Sequence, residues 1–288
     1  MKHLLWFLTF FAILFIGDRL GGWWLQKKTE SSLFRYSRLY EGRAAADILL
    51  VGNSRGLAFY QPFIEEKTGL RTFNLSYNGL PTDAAKVLVQ DYLDLYPKPQ
   101  VVVIDVTACD RTNDELLAGF TTYTSKSHRL DTLIHSKLPK VWWGTQVSAL
   151  FRYNSEIFQR ALSYQKKSDE DWLLDRVISP TLVARMERDS YWIAQTPYLV
   201  LQVKEMAASA QAKGVPVRLV IGPYFPGFHD NVGNLDNLKK SVELATGLRV
   251  YDYRQALADP TDFGDFMHPN RKGSAAYIDL MRRDSVLP

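Results

Sequence analysis

Short aliphatic runs alternate along most of the chain with longer stretches whose apolar positions recur every three or four residues. Runs at 47–52, 71–75 ("RTFNL"), 101–106 ("VVVIDV"), 215–221 ("VPVRLVI") and 248–253 ("LRVYDY") predict five strands. The third is apolar on both faces, as a central parallel strand must be. Between them, 81–97 predicts a helix that starts near Pro81 and is stopped by Pro97, with Ala84, Val87, Leu88, Tyr92 and Leu95 on one face. Further helices are predicted over 198–214, 235–245 and 270–281. This order predicts an α/β fold: a three-layer α/β/α sandwich around a mostly parallel, flavodoxin-like five-stranded sheet.

Residues 110–197 break the rhythm. They hold Trp142, Trp143, Trp172 and Trp192 among short helical patterns, with no convincing strand. They read as a helical insertion covering one end of the sheet, and their tryptophans as core more than as glycan-stacking platforms. At the other extreme of the pattern, residues 4–17 are apolar apart from Thr9. Asp18 and Arg19 interrupt, and "LGGWWL" resumes at 20–25. The uninterrupted run suits a signal-peptide core and is short for a span of ~20 residues. No small-x-small cleavage site follows, however, and Trp23 and Trp24 suit an aromatic belt. Residues 1–25 therefore read as an N-terminal transmembrane anchor, with a cleaved signal or a buried helix as alternatives. Residues 26–45 read as a linker or an amphipathic stretch leaving the membrane, and 46–288 as the folded domain. Long domains translocate largely regardless of flanking charge, so this one is expected outside the cytoplasm.

The 288 residues carry a net charge of +4, without a basic tract of the kind that tracks nucleic acid, and that class is set aside. The single cysteine, Cys109, excludes an intramolecular disulfide and a cysteine-based metal site. His3, His128 and His135 lack metal-ligand spacing. Gly52 to Gly56 is too short for a glycine-rich phosphate loop, which argues against a nucleotide-binding domain. Neither metal nor cofactor is expected.

The candidate chemistry begins at "ILLVGNSRG", residues 48–56, where a strand runs into a tight turn. Ser54 there is either a helix cap or a nucleophile. Ligands of open α/β sheets bind at the carboxyl ends of the strands, where this turn lies. Near the C-terminus, "DFGDFMHPNRKGSAAY" sets Asp265 three residues before His268, directly ahead of a helix. At that spacing the carboxylate can accept from Nδ1–H of the ring, leaving Nε2 to take a proton from a hydroxyl. Arg55 reads as a solvated or ion-paired residue, or as one facing an anionic substrate group. A second pair, His229 and Asp230, reads as pocket lining after the fourth strand.

These motifs resemble the SGNH, or GDSL, hydrolases. Gly52-Asn53-Ser54 matches the family's nucleophile turn, and Asp265-Phe266-Met267-His268 its Asp-x-x-His. The resemblance spans 46–283, and the N-terminal anchor is similar to that of membrane-tethered bacterial members, some of which work beside envelope glycan O-acylation machinery. It implies a serine esterase or O-acyltransferase with Ser54, His268 and Asp265 as its triad, acting on an acyl ester or acylated glycan, and a membrane acyltransferase complex as a partner. Two blocks depart from the pattern. Ser76 stands where the family has an oxyanion Gly; its backbone N–H, with that of Ser54, is the expected donor pair. Cys109 stands where the family has an oxyanion Asn, with Thr107 at the preceding Gly. Asn78 and Asn113 are the side chains expected to replace that Asn. On this reading Cys109→Asn raises turnover. The rival reading is an SGNH-like scaffold kept as a binding or assembly partner in the envelope.

Overall fold

The computed structural model describes residues 2–170 and 173–288; Trp172 lies outside them. In chain order the elements are α1 (Lys2–Ser31), α2 (Arg35–Tyr40), β1 (Ile48–Val51), α3 (Gln61–Thr68), β2 (Thr72–Asn74), α4 (Thr82–Leu95), β3 (Val101–Asp105), α5 (Asp114–Gly119), α6 (His128–Lys137), α7 (Pro139–Val147), α8 (Glu156–Ser163), α9 (Pro180–Val183), β4 (Tyr191–Trp192), α10 (Pro197–Ala212), β5 (Val217–Ile221), β6 (Val232–Gly233), α11 (Leu235–Thr246), β7 (Val250–Asp252) and α12 (Arg271–Arg283). They form two compact units, Met1–Arg43 with Asp114–Asp169 and Ala44–Asn113 with Glu170–Pro288.

The larger unit carries a five-stranded parallel sheet in the order β2-β1-β3-β5-β7. Counting only its own strands, this is the doubly wound 2-1-3-4-5 order, whose direction of winding reverses between β1 and β3. Every residue of β1 and of β3 is buried, which is why both read as unbroken aliphatic runs. One face, with Ile48, Leu50, Val101, Val103 and Val220, packs on Ile64 of α3 and Tyr277, Ile278 and Met281 of α12. By strand alternation the neighbouring residues point to the opposite face, where α10 packs between α4 and α11. This is the expected sandwich, with boundaries shifted by one or two residues.

The smaller unit holds α1, α2 and α5 to α8. Its core includes Phe34, Tyr36, Leu39, Phe120, Leu130, Ile134 and Ile157, and Arg35 forms a buried ion pair with Asp169 at 2.6 Å. Residues 26–45, expected as a linker, contain instead the last turns of α1 and the largely buried α2. The pattern there is polar because Arg35 and Ser37 are buried with partners: Ser37 Oγ lies 2.8 Å from the Tyr123 hydroxyl. Among the described residues α1 is long and apolar enough to cross a membrane.

The stretch expected to be one insertion is thus divided, with 114–169 in the smaller unit and 170–197 in the larger. It also contains a strand that the sequence did not announce, β4, paired in parallel with β6. Two residues are too few to show a period. Nor are its described tryptophans the expected core. Trp142 is half-buried, donating from Nε1 to Asp131, while Trp143 and Trp192 are exposed.

Candidate active site

Three loops at the carboxyl ends of the larger unit's strands meet around one cavity of about 240 Å³, lined by Ser54, Leu57, Asn78, Leu174, His268 and Pro269 among others. The first loop follows β1. Gly52 is required there because a Cβ would sit 3.0 Å from the Asp105 Cβ and 3.1 Å from the Gly56 Cα. Asn53 then holds the turn in both directions. Its Oδ1 accepts from Arg55 N–H at 3.0 Å, and its Nδ2 donates to the Thr107 carbonyl at 3.1 Å. Residues 54–58 form one short 3-10 helix with Ser54 at its start.

The second half of the site comes from the loop before α12. Asp265 Oδ1 accepts from the backbone N–H of Met267 (2.8 Å) and of His268 (2.9 Å), a local turn built on a short acceptor side chain. The same carboxylate faces Nδ1 of His268 at 2.8 and 2.9 Å. On the far side of the ring, Nε2 lies 3.0 Å from Ser54 Oγ. Residues 214 apart in sequence thus form a continuous hydroxyl–imidazole–carboxylate chain. Burial pushes the Asp265 carboxyl up, but the His268 ring and the two backbone donors outweigh it and hold the group below its ordinary value. A carboxylate that stays ionised fixes the ring with Nδ1 as donor and leaves Nε2 as the acceptor facing Ser54.

The loop is clamped from below. Asn270 caps α12 by accepting from Lys272 and Gly273 N–H, and its Nδ2 donates to the Arg176 and Thr261 carbonyls. At Gly273 a Cβ would fall 2.1 Å from the Asp262 carbonyl oxygen. That contact accounts for the glycine in "NRKG".

The third loop follows β2 and corrects the expected oxyanion arrangement. Ser76 is fully buried and does not line the cavity. Its N–H donates to Asn74 Oδ1 at 2.9 Å, so it is already engaged in the turn. A Cβ on Gly56 would lie 2.3 Å from Ser76 Oγ; the missing side chain at Gly56 is what accommodates Ser76. Asn78, by contrast, is exposed and borders the cavity. Asn113 does not line it. Its Nδ2 donates to the Gly79 carbonyl at 2.9 Å, tying down the turn that carries Asn78. Cys109 is fully buried, its thiol pushed up by burial and directed at the Leu199 carbonyl at 3.3 Å.

Arg55 is neither solvated nor aimed at an anion. It is only 4% exposed, and its guanidinium donates to the carbonyls of Met267 (2.5 Å), Gly222 (2.7 Å) and Pro223 (3.0 Å) while lying 3.6 Å over the Tyr224 ring. Three backbone acceptors and a π-face replace the hydration of its two terminal nitrogens, while Nε is buried without an acceptor. The sequence held one unread signal for this: an arginine followed at once by Gly, Leu and Ala has few polar neighbours to share a solvated face. Leu173 and Leu174, which line the cavity, sit in a mixed-polarity stretch that announces nothing. His229 is a near neighbour of Asp230 and Gln255 and does not line the cavity.

No family model and no curated protein matches the chain. It is similar to several solved structures, two of which follow. One is a proposed acylhydrolase from Bacteroides fragilis NCTC 9343, 14% identical, covering 84% of this chain and 88% of that one at a TM-score of 0.42. The other is a GDSL-like lipase from Bacteroides thetaiotaomicron VPI-5482, 12% identical, covering 82% and 86% at a TM-score of 0.39.

Proposed function

We propose that the chain is a membrane-anchored serine hydrolase or acyltransferase of the SGNH type. The observation that carries the reading is the 3.0 Å approach of His268 Nε2 to Ser54 Oγ, with Asp265 on the opposite ring nitrogen. A neutral serine is a poor nucleophile, and this arrangement supplies both its base and the orienter of that base. Ser54 Oγ attacks an acyl carbonyl while its proton passes to His268 Nε2. Asp265 stabilises the resulting imidazolium. The leaving alcohol takes that proton, and an acyl-serine remains. Water or a sugar hydroxyl then attacks the acyl-serine, giving its proton to His268, which passes it to the departing Ser54 Oγ, so that the acid or new ester leaves and both residues are restored. The Ser54 N–H and the Asn78 side chain, both at the border of the cavity, are assigned as donors to the oxyanion. The substrate class is an acyl ester, with an acylated envelope glycan as the natural setting and an acyltransferase of the same membrane as partner. The domain stands outside the cytoplasm.

The burial of Cys109 and the engagement of Asn113 and Ser76 favour one second reading, a scaffold without turnover that binds rather than cleaves. An alkyl fluorophosphonate separates the two. The full-length protein is expected to be labelled at Ser54 and to hydrolyse p-nitrophenyl acetate, with Ser54→Ala losing both at an unchanged melting temperature. Equal labelling and hydrolysis by the folded variant would reject Ser54 as the nucleophile. Absence of both in the wild type would favour the scaffold.

A further inference from the structure

The smaller unit contains a feature that the chemistry at Ser54 does not use. Where the apolar run of α1 ends, the helix is joined by the segment around α7. Asp18 accepts from Ser148 Oγ (2.5 Å), Ala149 N–H (2.7 Å) and Leu150 N–H (3.2 Å), and Arg19 donates to the Val147 carbonyl at 3.1 Å. Gly21 and Gly22 permit the approach. A Cβ at Gly22 would lie 2.6 Å from the Ala149 Cβ, and one at Gly21 3.0 Å from a Leu150 methyl. The two charges that interrupt the apolar run, and the two glycines after them, thus serve one contact.

Depth follows from helix geometry. At 1.5 Å per residue, residues 4–25 span about 33 Å, close to a hydrocarbon core of about 30 Å. Residues 18–22 fall within the last ~12 Å of that length, in the outer part of the hydrocarbon core next to the headgroups. A carboxylate there needs donors, because lipid supplies none; Ser148, Ala149 and Leu150 supply them. Whatever is bonded to Asp18 shares its depth.

The joined segment is suited to that depth. Trp143 and Val147, four apart on one face of α7, are 60% and 76% exposed, and Leu150 and Phe151 continue the apolar surface. Lys140 stands on the same face one turn earlier. Trp23 and Trp24 are exposed on α1 just beyond the contact. Exposed tryptophan, valine, leucine and phenylalanine beside a lysine, continuous with a helix read as lipid-facing, suit an element at the membrane surface.

We propose that residues 139–151 form a second membrane contact, an interfacial element whose Trp143, Val147, Leu150 and Phe151 enter the headgroup–acyl boundary of a lipid bilayer beside α1. This rests on the reading of α1 as a membrane anchor. The occupant is the bilayer itself, because the face adjoins lipid on α1 and its charge flank is basic, as anionic headgroups favour.

The test uses the full-length protein in vesicles of mixed phosphatidylcholine and phosphatidylglycerol. Cys109 is fully buried, so single introduced cysteines can be labelled with a nitrobenzoxadiazole probe. Val147→Cys is the test position and Ile13→Cys reports the anchor. Gln159→Cys is the aqueous reference: it is exposed on α8, which bonds to the far end of α1 through Ser32 and Gln165. The expected result is quenching by spin-labelled lipid at 147 comparable with that at 13 and several-fold above that at 159. Quenching at 13 with 147 at the level of 159 would overturn the surface and leave the anchor standing, pointing to a protein partner for α7. Absence of quenching at 13 would overturn the anchor and the proposal together.

Discussion

The Arg55 guanidinium reaches the Met267 carbonyl at 2.5 Å. Arg55 directly follows Ser54, and Met267 directly precedes His268. One hydrogen bond therefore spans the two loops whose hydroxyl and imidazole must stay within reach. The same guanidinium is anchored to the Gly222 and Pro223 carbonyls, so the register of the pair is set by a third loop.

On the proposed mechanism Arg55 acts as a positioning residue. Arg55→Ala should lower kcat for a short-chain ester by about 10- to 100-fold, since a displacement of about 1 Å costs that much, and should destabilise the fold by about 2–4 kcal/mol through three unpaired carbonyls. Arg55→Lys should recover part of kcat by replacing some of the donors. A purely structural role would lower the amount of folded enzyme, with per-site kcat, measured by active-site titration, unchanged.

The depressed Asp265 carboxyl makes a statement about pH. Its folded-state value lies below the ordinary 3.8, so the folded state favours the ionised form. That contribution is full above the ordinary value and is lost as pH falls through the depressed one, and its size is on the order of 1 kcal/mol. Urea unfolding of the wild type and Asp265→Asn should differ most near neutral pH and converge as pH falls below the ordinary carboxylate value. A gap that widens in acid would contradict the sign.

Asn78 borders the cavity with its side chain exposed. If its amide receives developing charge on the substrate oxygen, Asn78→Ala should reduce kcat by roughly 100-fold with KM nearly unchanged, the signature of a donor used in the transition state. An unchanged kcat would remove Asn78 from the oxyanion site.

Cys109→Asn, expected from sequence to raise hydrolysis, should do the opposite. The position is fully buried and faces the Leu199 carbonyl, so the larger amide finds an acceptor for one proton and leaves its other groups unpaired. A loss of about 1–3 kcal/mol in stability and no gain in kcat/KM are expected from thermal unfolding and ester kinetics.

Gly273→Ala places a methyl 2.1 Å from the Asp262 carbonyl. Overpacking there should cost about 1–3 kcal/mol and shift the Asn270 cap. Because that cap adjoins His268, kcat should fall along with melting temperature. A variant as stable and active as the wild type would show that the loop can yield.

Elements whose cause is local can be read directly from the chain. Buried parallel strands must be aliphatic throughout, so β1 and β3 are legible as "ILLV" and "VVVI". The Asp265–His268 pair is three residues wide and closes on itself through the Asp265 turn. Its link to Ser54 rested on motif order, since nothing within either loop measures the distance between them. Relations between segments far apart in the chain emerge only once it is folded. Ser76 N–H goes to Asn74 because Gly56 leaves room for the serine beside it. Arg55 is buried because three carbonyls from distant loops converge on it. Asp18 and Arg19 interrupt an apolar run because their partners lie at 147–150. A polar residue shows in sequence only that it needs a partner; which group satisfies it depends on which backbone the fold brings near.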